Sequence, residues 1–244
     1  MAYVEDPRAP GEGAIQIFSG WIGSWGLSVQ RRPLNAAEIA RRYDREAPRW
    51  GDLLAQLGSP RAYERLLAAS LAKRPALAAA GPLRALDCGA GDGALSLALA
   101  RVAPRGVSAD AVDLSPRMLA EARRRFAEAG LDAATQVADV RDLPYLDGSF
   151  DVVMAAHLLE HLADPTAALA EMARVLRPGG LMILCLTRRA ALGVYIHLKW
   201  RTRLTTEPEA LGLMRRAGLA EVEALRPDGG LFRRLTVACA GVKG

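Results

Sequence analysis

Three aspartates stand at the ends of apolar, strand-like runs in the middle of this 244-residue chain: Asp87 in "RALDC", Asp113 in "AVDLS" and Asp139 in "TQVADV". A glycine loop, "LDCGAGDGAL", begins beside the first of them. In it Gly89, Gly91 and Gly93, with Ala90 between, let backbone approach a ligand closely, because glycine carries no Cβ. Gly89, Gly91 and Ala94 also satisfy the GxGxxA form of the dinucleotide fingerprint, so the loop alone admits an NAD(P)-dependent oxidoreductase. In either reading an acid about 20 residues further on, at the end of the second strand, grips ribose hydroxyls, and Asp113 takes that place. Asp87 separates the readings. Two residues before the first glycine, a carboxylate repels a pyrophosphate and attracts a ligand carrying an ammonium and a sulfonium. Asp139 ends the third run and can accept a hydrogen bond from an adenine amine. Helix capping and loop solvation are the alternative duties of such acids.

A second group, "HLLEH", follows the next apolar run. His157, Glu160 and His161 spell the HxxEH arrangement of a zinc peptidase, in which two histidines one helical turn apart hold the ion. No further carboxylate ligand presents itself, and no metal is expected. A core or capped histidine is the other duty open to His157.

These residues need a frame that brings strand ends together. After about residue 82, apolar strands alternate with helices, the pattern of a parallel sheet covered on both faces. Strands are expected over 83–88, 107–113, 134–138, 150–155 and 180–186. Ser115-Pro116 and Asp164-Pro165 each supply a cap followed by proline at the first helical position. A helix over 207–217 leads into two further strands, 220–225 and 231–241, with "RPDGG" as the turn between them. Before residue 80, "NAAEIARRYDREAPRW" starts a helix at the Asn35 cap with Ile39 and Tyr43 on one face, and "RAYERLLAASLA" forms another. The domain reading is therefore 1–80 as an N-terminal extension and helical cover, and 81–244 as the ligand-binding domain.

Composition is that of an ordinary globular protein, 51% hydrophobic and 24% charged. Nothing approaches the roughly 20 apolar residues of a membrane span, and the N-terminus has no basic-then-apolar leader, so a cytoplasmic protein is expected. Cys88, Cys185 and Cys239 lie in strand-like runs without paired or metal-like spacing and read as buried thiols. The acidic middle is flanked by basic ends, which would favour an anionic ligand or lipid surface near the flanks. Nucleic acid finds no ordered basic-aromatic motif, despite a basic pI.

The blocks "YDREAPRW", "LDCGAGDGALSLALA", "VDLSPRMLAEARRR", "ADVRDLPYLDGSFDVVMAAHLLEHLADP" and "ALAEMARVLRPGGLMILC" follow one another over residues 36–186. Together they resemble class I S-adenosylmethionine-dependent methyltransferases, notably the ubiquinone/menaquinone C-methyltransferase-like group. The resemblance implies a Rossmann-like α/β three-layer sandwich with a seven-stranded, mostly parallel sheet whose last strand is antiparallel. It also implies S-adenosyl-L-methionine as cofactor. Asp87 and Gly89, Ala90, Gly91 and Gly93 would meet the methionine part, Asp113 the ribose, and Met118 and Val140 the adenine, with Leu114, Asp139 and Ala155 also among the expected cofactor-binding residues. His157 and Tyr43 are the candidate catalytic side chains, with Trp50 a further aromatic of the cover. Such a reaction is an in-line displacement that needs alignment and dryness more than acid–base machinery. The expected acceptor is a small or amphiphilic molecule, either quinone-type, another metabolite or a lipid head group. The segments 14–27 and 195–203 could rest on an anionic membrane. A non-catalytic methyltransferase-like binding module is the remaining alternative.

Overall fold

In the computed structural model the chain alternates strand and helix where its apolar runs demand it, and the structure describes residues 15–22, 24–31, 35–56, 58–79, 81–189, 203–226 and 230–244. An antiparallel hairpin, β1 (Ile15–Ile22) and β2 (Trp25–Arg31), precedes three helices, α1 (Ala36–Gln56), α2 (Ser59–Ala72) and α3 (Pro75–Ala79). Then come β3 (Leu83–Cys88), α4 (Ala94–Val102), β4 (Val107–Asp113), α5 (Pro116–Ala129), β5 (Ala133–Val137) and β6 (Phe150–Ala156). A 3-10 turn at Leu159–His161 leads to α6 (Thr166–Val175) and β7 (Leu176–Thr187). After them follow α7 (Glu207–Arg216), β8 (Leu219–Leu225), α8 (Gly230–Leu235) and β9 (Thr236–Lys243).

Seven strands form one sheet in the order β5-β4-β3-β6-β7-β9-β8, with β9 antiparallel to both of its neighbours and β3 to β7 parallel. This is the Rossmann-like architecture expected from the sequence. A sheet covered on both faces needs strands that are apolar throughout, which "FDVVMAA" and "LMILCLT" supply. The period-two alternation then divides each strand between two cores. Leu83 and Ala85 of β3 pack with Leu66 and Leu67 of α2 and Leu99 of α4. Leu86 and Cys88 face the opposite way, into the core that also holds Met172 of α6 and Met214 of α7. All three cysteines are buried free thiols.

Chain order reverses between β3 and β6: from β3 the chain proceeds outward through β4 and β5, then returns to β3's other side. At such a switch point the loops leaving adjacent strands diverge and open a crevice beyond the strands' carboxyl ends. Asp87, Asp113 and His157 all lie at that edge.

The structure departs from the sequence expectations in several places. Residues 231–235 are helical and not strand: α8 turns Phe232 inward, edge-to-face on Tyr63 with ring centroids 5.2 Å apart, before β9 begins at Thr236. Tertiary packing on α2 overrides the apolar run's strand character there. The middle of "RPDGG", residues 227–229, lies outside the described residues. β7 starts at Leu176, well before 180, because fully buried Leu176 already pairs with Phe150 of β6. β5 sits one residue earlier than expected. Asp164 is not the boundary residue of α6, which Pro165 caps, yet its carboxylate still accepts from the Thr166 N–H at 2.9 Å. A hairpin over residues 15–31 stands where the sequence offers only a segment, 14–27, for an anionic membrane surface. No helix among the described residues is long and apolar enough to cross a membrane.

Candidate active site

The loop after β3 is held open by three left-handed glycines, with φ of 65° at Gly89, 54° at Gly91 and 77° at Gly93. It is pinned to β4 from below: the Ala90 N–H donates to the Val112 carbonyl at 3.0 Å, and the Gly91 N–H to Asp113 Oδ2 at 2.9 Å. Gly93 caps α4 and faces away from the ligand side, because a Cβ there would run into the Phe126 ring. At Gly89 a Cβ would come 2.8 Å from Leu158, so the loop also lies tight against the chain leaving β6.

Asp113 is clamped on both oxygens, since Oδ1 accepts from the Ser115 N–H at 2.8 Å. Burial pushes its carboxyl above the ordinary value, against these backbone donors. A carboxylate offers about four acceptor sites, so lone pairs remain for a diol. Asp87 is more extreme. It is 1% exposed, its Oδ2 accepts from the Ser96 N–H at 3.1 Å and the Ser96 hydroxyl at 2.7 Å, and burial drives its carboxyl up to about 7. A buried carboxylate flanked by Asp113 and Asp92 is a place where a cation is missing electrostatically, and a ligand ammonium or sulfonium fits that donor set. Asp139 lies two residues past β5 in a forked pair with Arg141, Nε at 2.9 Å and Nη2 at 2.6 Å, which holds its carboxyl below the usual range. Part of the capacity expected for adenine is thus already engaged.

These groups surround one cavity of about 450 Å³. Of the residues marked from sequence, Asp87, Gly89, Ala90, Gly91, Asp113 and Leu114 line it on the β3–β4 side. Met118, Asp139 and Val140 line it beyond β5, and Tyr43 and His157 line it as well. Two do not belong to the wall. Gly93 packs behind it as described, and Ala155 is turned into the lower core, so that Ala156 faces the cavity instead. The shift by one residue follows from the strand alternation at the end of β6.

The part of the wall around Tyr43 is built from chain segments distant in sequence. The Asn35 cap of α1 forms a reciprocal capping box with Glu38, 2.9 Å in each direction, and the helix lays Ile39 and Tyr43 over the cavity. Tyr43 Oη lies 2.9 Å from His161 Nε2, with the rings edge-to-face at 5.6 Å. Burial raises the Tyr43 phenol and pushes His161 down to about 4, so at neutral pH both are uncharged. Asp44, one residue on, accepts from the Ser115 hydroxyl at 2.5 Å, while that same oxygen accepts from the Met118 N–H at 3.1 Å. The cover is thereby tied to the N-terminus of α5, where negative charge is favoured. The Trp50 side chain lies outside the described residues.

"HLLEH" is a strand end and a 3-10 turn, without a long helix to carry metal ligands. His157 adopts φ 55°, a conformation uncommon for a non-glycine residue, and its N–H donates to the Cys185 carbonyl at 2.8 Å. Its Nδ1 lies 3.1 Å from Glu160 Oε1 and 3.2 Å from Thr187 Oγ1. Among the described residues no group of three or more His, Cys, Asp or Glu side chains is arranged for a metal ion. Sequence reasoning gave no place to Ser96, Asp44 or Thr187. Ser96 and Thr187 carry no local signal, whereas Asp44 beside Tyr43 could have been suspected as a partner for the Ser115 cap, whose side chain is buried.

Comparison with known proteins agrees with this geometry. Residues 86–184 match the family described as a methyltransferase domain. The ubiquinone biosynthesis O-methyltransferase of Xanthomonas euvesicatoria pv. vesicatoria is 39% identical over 107 residues, covering 43% of this chain and 44% of that protein. The demethylmenaquinone methyltransferase of Thermus thermophilus is 42% identical over 102 residues, 42% of this chain and 46% of that protein. The chain thus spans less than half the length of these relatives. Among solved structures, the [4+2]-cyclase SpnF superposes with a TM-score of 0.64 at 21% identity, covering 86% of this chain and 97% of that one. A geranyl diphosphate methyltransferase in complex with SAM gives 0.56 at 18% identity, covering 67% and 79%. In sheet order and in the matched sequence, residues 86–184 are similar to methyltransferase domains.

Proposed function

We propose that the protein transfers a methyl group from S-adenosylmethionine to a small or amphiphilic acceptor, a quinone-type phenol first among them. The observation that carries the cofactor half is Asp87, a buried carboxylate pushed up to about 7 at the foot of a glycine loop, which a cationic ligand relieves and a pyrophosphate does not. Asp87 and the loop from Gly89 to Gly91 would hold the methionine part, Asp113 the ribose, and Met118 and Val140 the ring. When bound, the cofactor supplies a methyl already activated on a positive sulfur. The chain's own residues have to hold the acceptor in line about 3 Å away and keep water out. Tyr43, over the cavity on α1, does both by position. The quinone-type acceptor is supported by the two relatives named above, each matched over part of its length.

Calorimetry with S-adenosylmethionine, S-adenosylhomocysteine and NAD tests the cofactor half. Binding of the first two, weakened at least about 10-fold by Asp113→Ala, is expected from the loss of a hydrogen-bonded charge. NAD binding instead would restore the oxidoreductase reading. A labelled-methyl screen against phenolic, quinol and lipid extracts tests the acceptor; label in phospholipid amines alone would replace the quinone-type class. Cofactor binding with no transfer to any extract would favour a binding module. The segments offered for membrane contact, 14–27 and 195–203, fall mainly on side chains outside the described residues, and vesicle co-sedimentation at low and high salt is their test.

A further inference from the structure

Glu160 is only 2% exposed, and among the described residues its one charged-partner contact is His157. Its Oε1 accepts from the Thr187 hydroxyl at 2.5 Å and the Thr187 N–H at 3.1 Å, and lies 3.1 Å from His157 Nδ1. Its Oε2 has no hydrogen-bond partner among the described residues. A glutamine would satisfy Thr187 equally well, so anchoring β7 does not require a charge, and a half-satisfied buried carboxylate carries a desolvation cost. What a carboxylate does and an amide does not is fix a neighbouring imidazole with its proton on Nδ1 and stabilise the imidazolium. His157 lies on the cavity wall, so with Nδ1 held by Glu160 and Thr187 its other nitrogen, Nε2, is the one left to meet an acceptor.

The geometry points to Glu160 as a positioning residue that, with Thr187, holds His157 as a base for an acceptor bearing a dissociable hydroxyl. This deepens the methyltransferase reading and rests on it, narrowing the acceptor to an oxygen acid such as a catechol and away from amines. In the step, Nε2 takes the hydroxyl proton as the acceptor oxygen's electron pair forms the new bond to the methyl carbon. The carbon–sulfur pair remains on sulfur as a neutral thioether, and the imidazolium, paired with Glu160, later returns its proton to water. Groups facing His157 are Glu160 and His161 from its own turn and the Thr187 hydroxyl and Cys185 carbonyl from β7. From α1, Tyr43 bonds His161 and the Arg42 charge acts on it.

The chain has only three histidines, so ring-15N NMR of the S-adenosylhomocysteine complex is readily assigned with a His157→Asn control. The expected wild-type spectrum has neutral His157 protonated on Nδ1, and in Glu160→Gln the Nδ1–H proton resonance moves upfield as its charged acceptor is lost. A proton on Nε2 in wild type, or an unmoved Nδ1–H resonance in the variant, overturns the proposal; the wild-type spectrum needs no variant to fold. Methylation of catechol and of the more acidic 4-nitrocatechol gives the second readout. Glu160→Gln should cost at least about 10-fold in kcat on catechol and less than about 3-fold on 4-nitrocatechol, which arrives ionised. Equal losses mark a merely structural residue, and wild-type methylation of neither probe overturns the hydroxyl acceptor. Failure to bind S-adenosylhomocysteine sinks the underlying reading instead.

Discussion

Replacing Asp87 by asparagine should make the ligand-free protein more stable and the cofactor complex weaker, two effects of opposite sign from one atom change. Burial raises the carboxyl from its ordinary 3.8 to about 7. The folded state therefore keeps a proton that the unfolded chain has already lost, and this group's contribution falls as pH climbs from about 4 to about 7. A gap of about 3 pH units corresponds to at most about 4 kcal/mol at pH 7.5. Asparagine keeps an acceptor for the Ser96 N–H and hydroxyl but never ionises. Even a quarter of that ceiling, about 1 kcal/mol, lifts Tm by about 2–4 °C in a chain of this size. Thermal melts followed by circular dichroism, without ligand, should show the variant above wild type at pH 7.5 and the two converging near pH 4. Titration calorimetry should show S-adenosylmethionine affinity reduced by at least about 10-fold at pH 7.5, and wild-type affinity itself declining as pH drops below about 7. An Asp87→Asn protein that melts lower than wild type at pH 7.5, or binds the cofactor as tightly, would refute the account of Asp87 as a charge awaiting its partner.

Other parts of the structure predict separately measurable effects. Gly93→Ala combines a left-handed φ of 77° with a collision against Phe126, and should lower stability by about 2 kcal/mol or more in urea unfolding, with Gly106→Ala, which meets open space, losing less. Asp44→Ala removes the link between α1 and the cap of α5. It should cost about 1 kcal/mol and speed hydrogen exchange in α1 more than in β3, as measured by mass spectrometry. Phe232→Ala empties the space against Tyr63 and is expected to cost about 3 kcal/mol in the same unfolding assay, whereas a strand at 231–235 would place the ring elsewhere and lose less.

Asp87, Asp113 and the glycines were legible before any coordinates because their signals are local. A parallel strand fully covered on both faces needs an unbroken apolar run, the run's end marks where the chain meets the crevice, and left-handed turns there select glycine. The cap at Ser115 and the capping box from Asn35 to Glu38 are equally local, since each is closed within three residues. The same locality misled at 231–235, where apolar residues suited a strand but Tyr63, far away in the chain, offered an aromatic partner that a helix could reach. It also failed by one residue at Ala155, because alternation at a strand's end depends on where pairing stops.

What the amino-acid sequence determined alone was the sheet, its order of strands and helices, and the acids at the strand ends. The tertiary structure decided which side chains meet. Tyr43 finds His161 across 118 residues and Ser115 finds Asp44 across 71, and Glu160 reaches both His157 and Thr187. Hydrogen bonds between distant segments leave no periodicity in a sequence, since their geometry is set by how α1, β6 and β7 pack and not by the residues beside them. The charge state of Asp87 is likewise a property of the assembled core: only folding removes the water that would otherwise keep it an ordinary carboxylate.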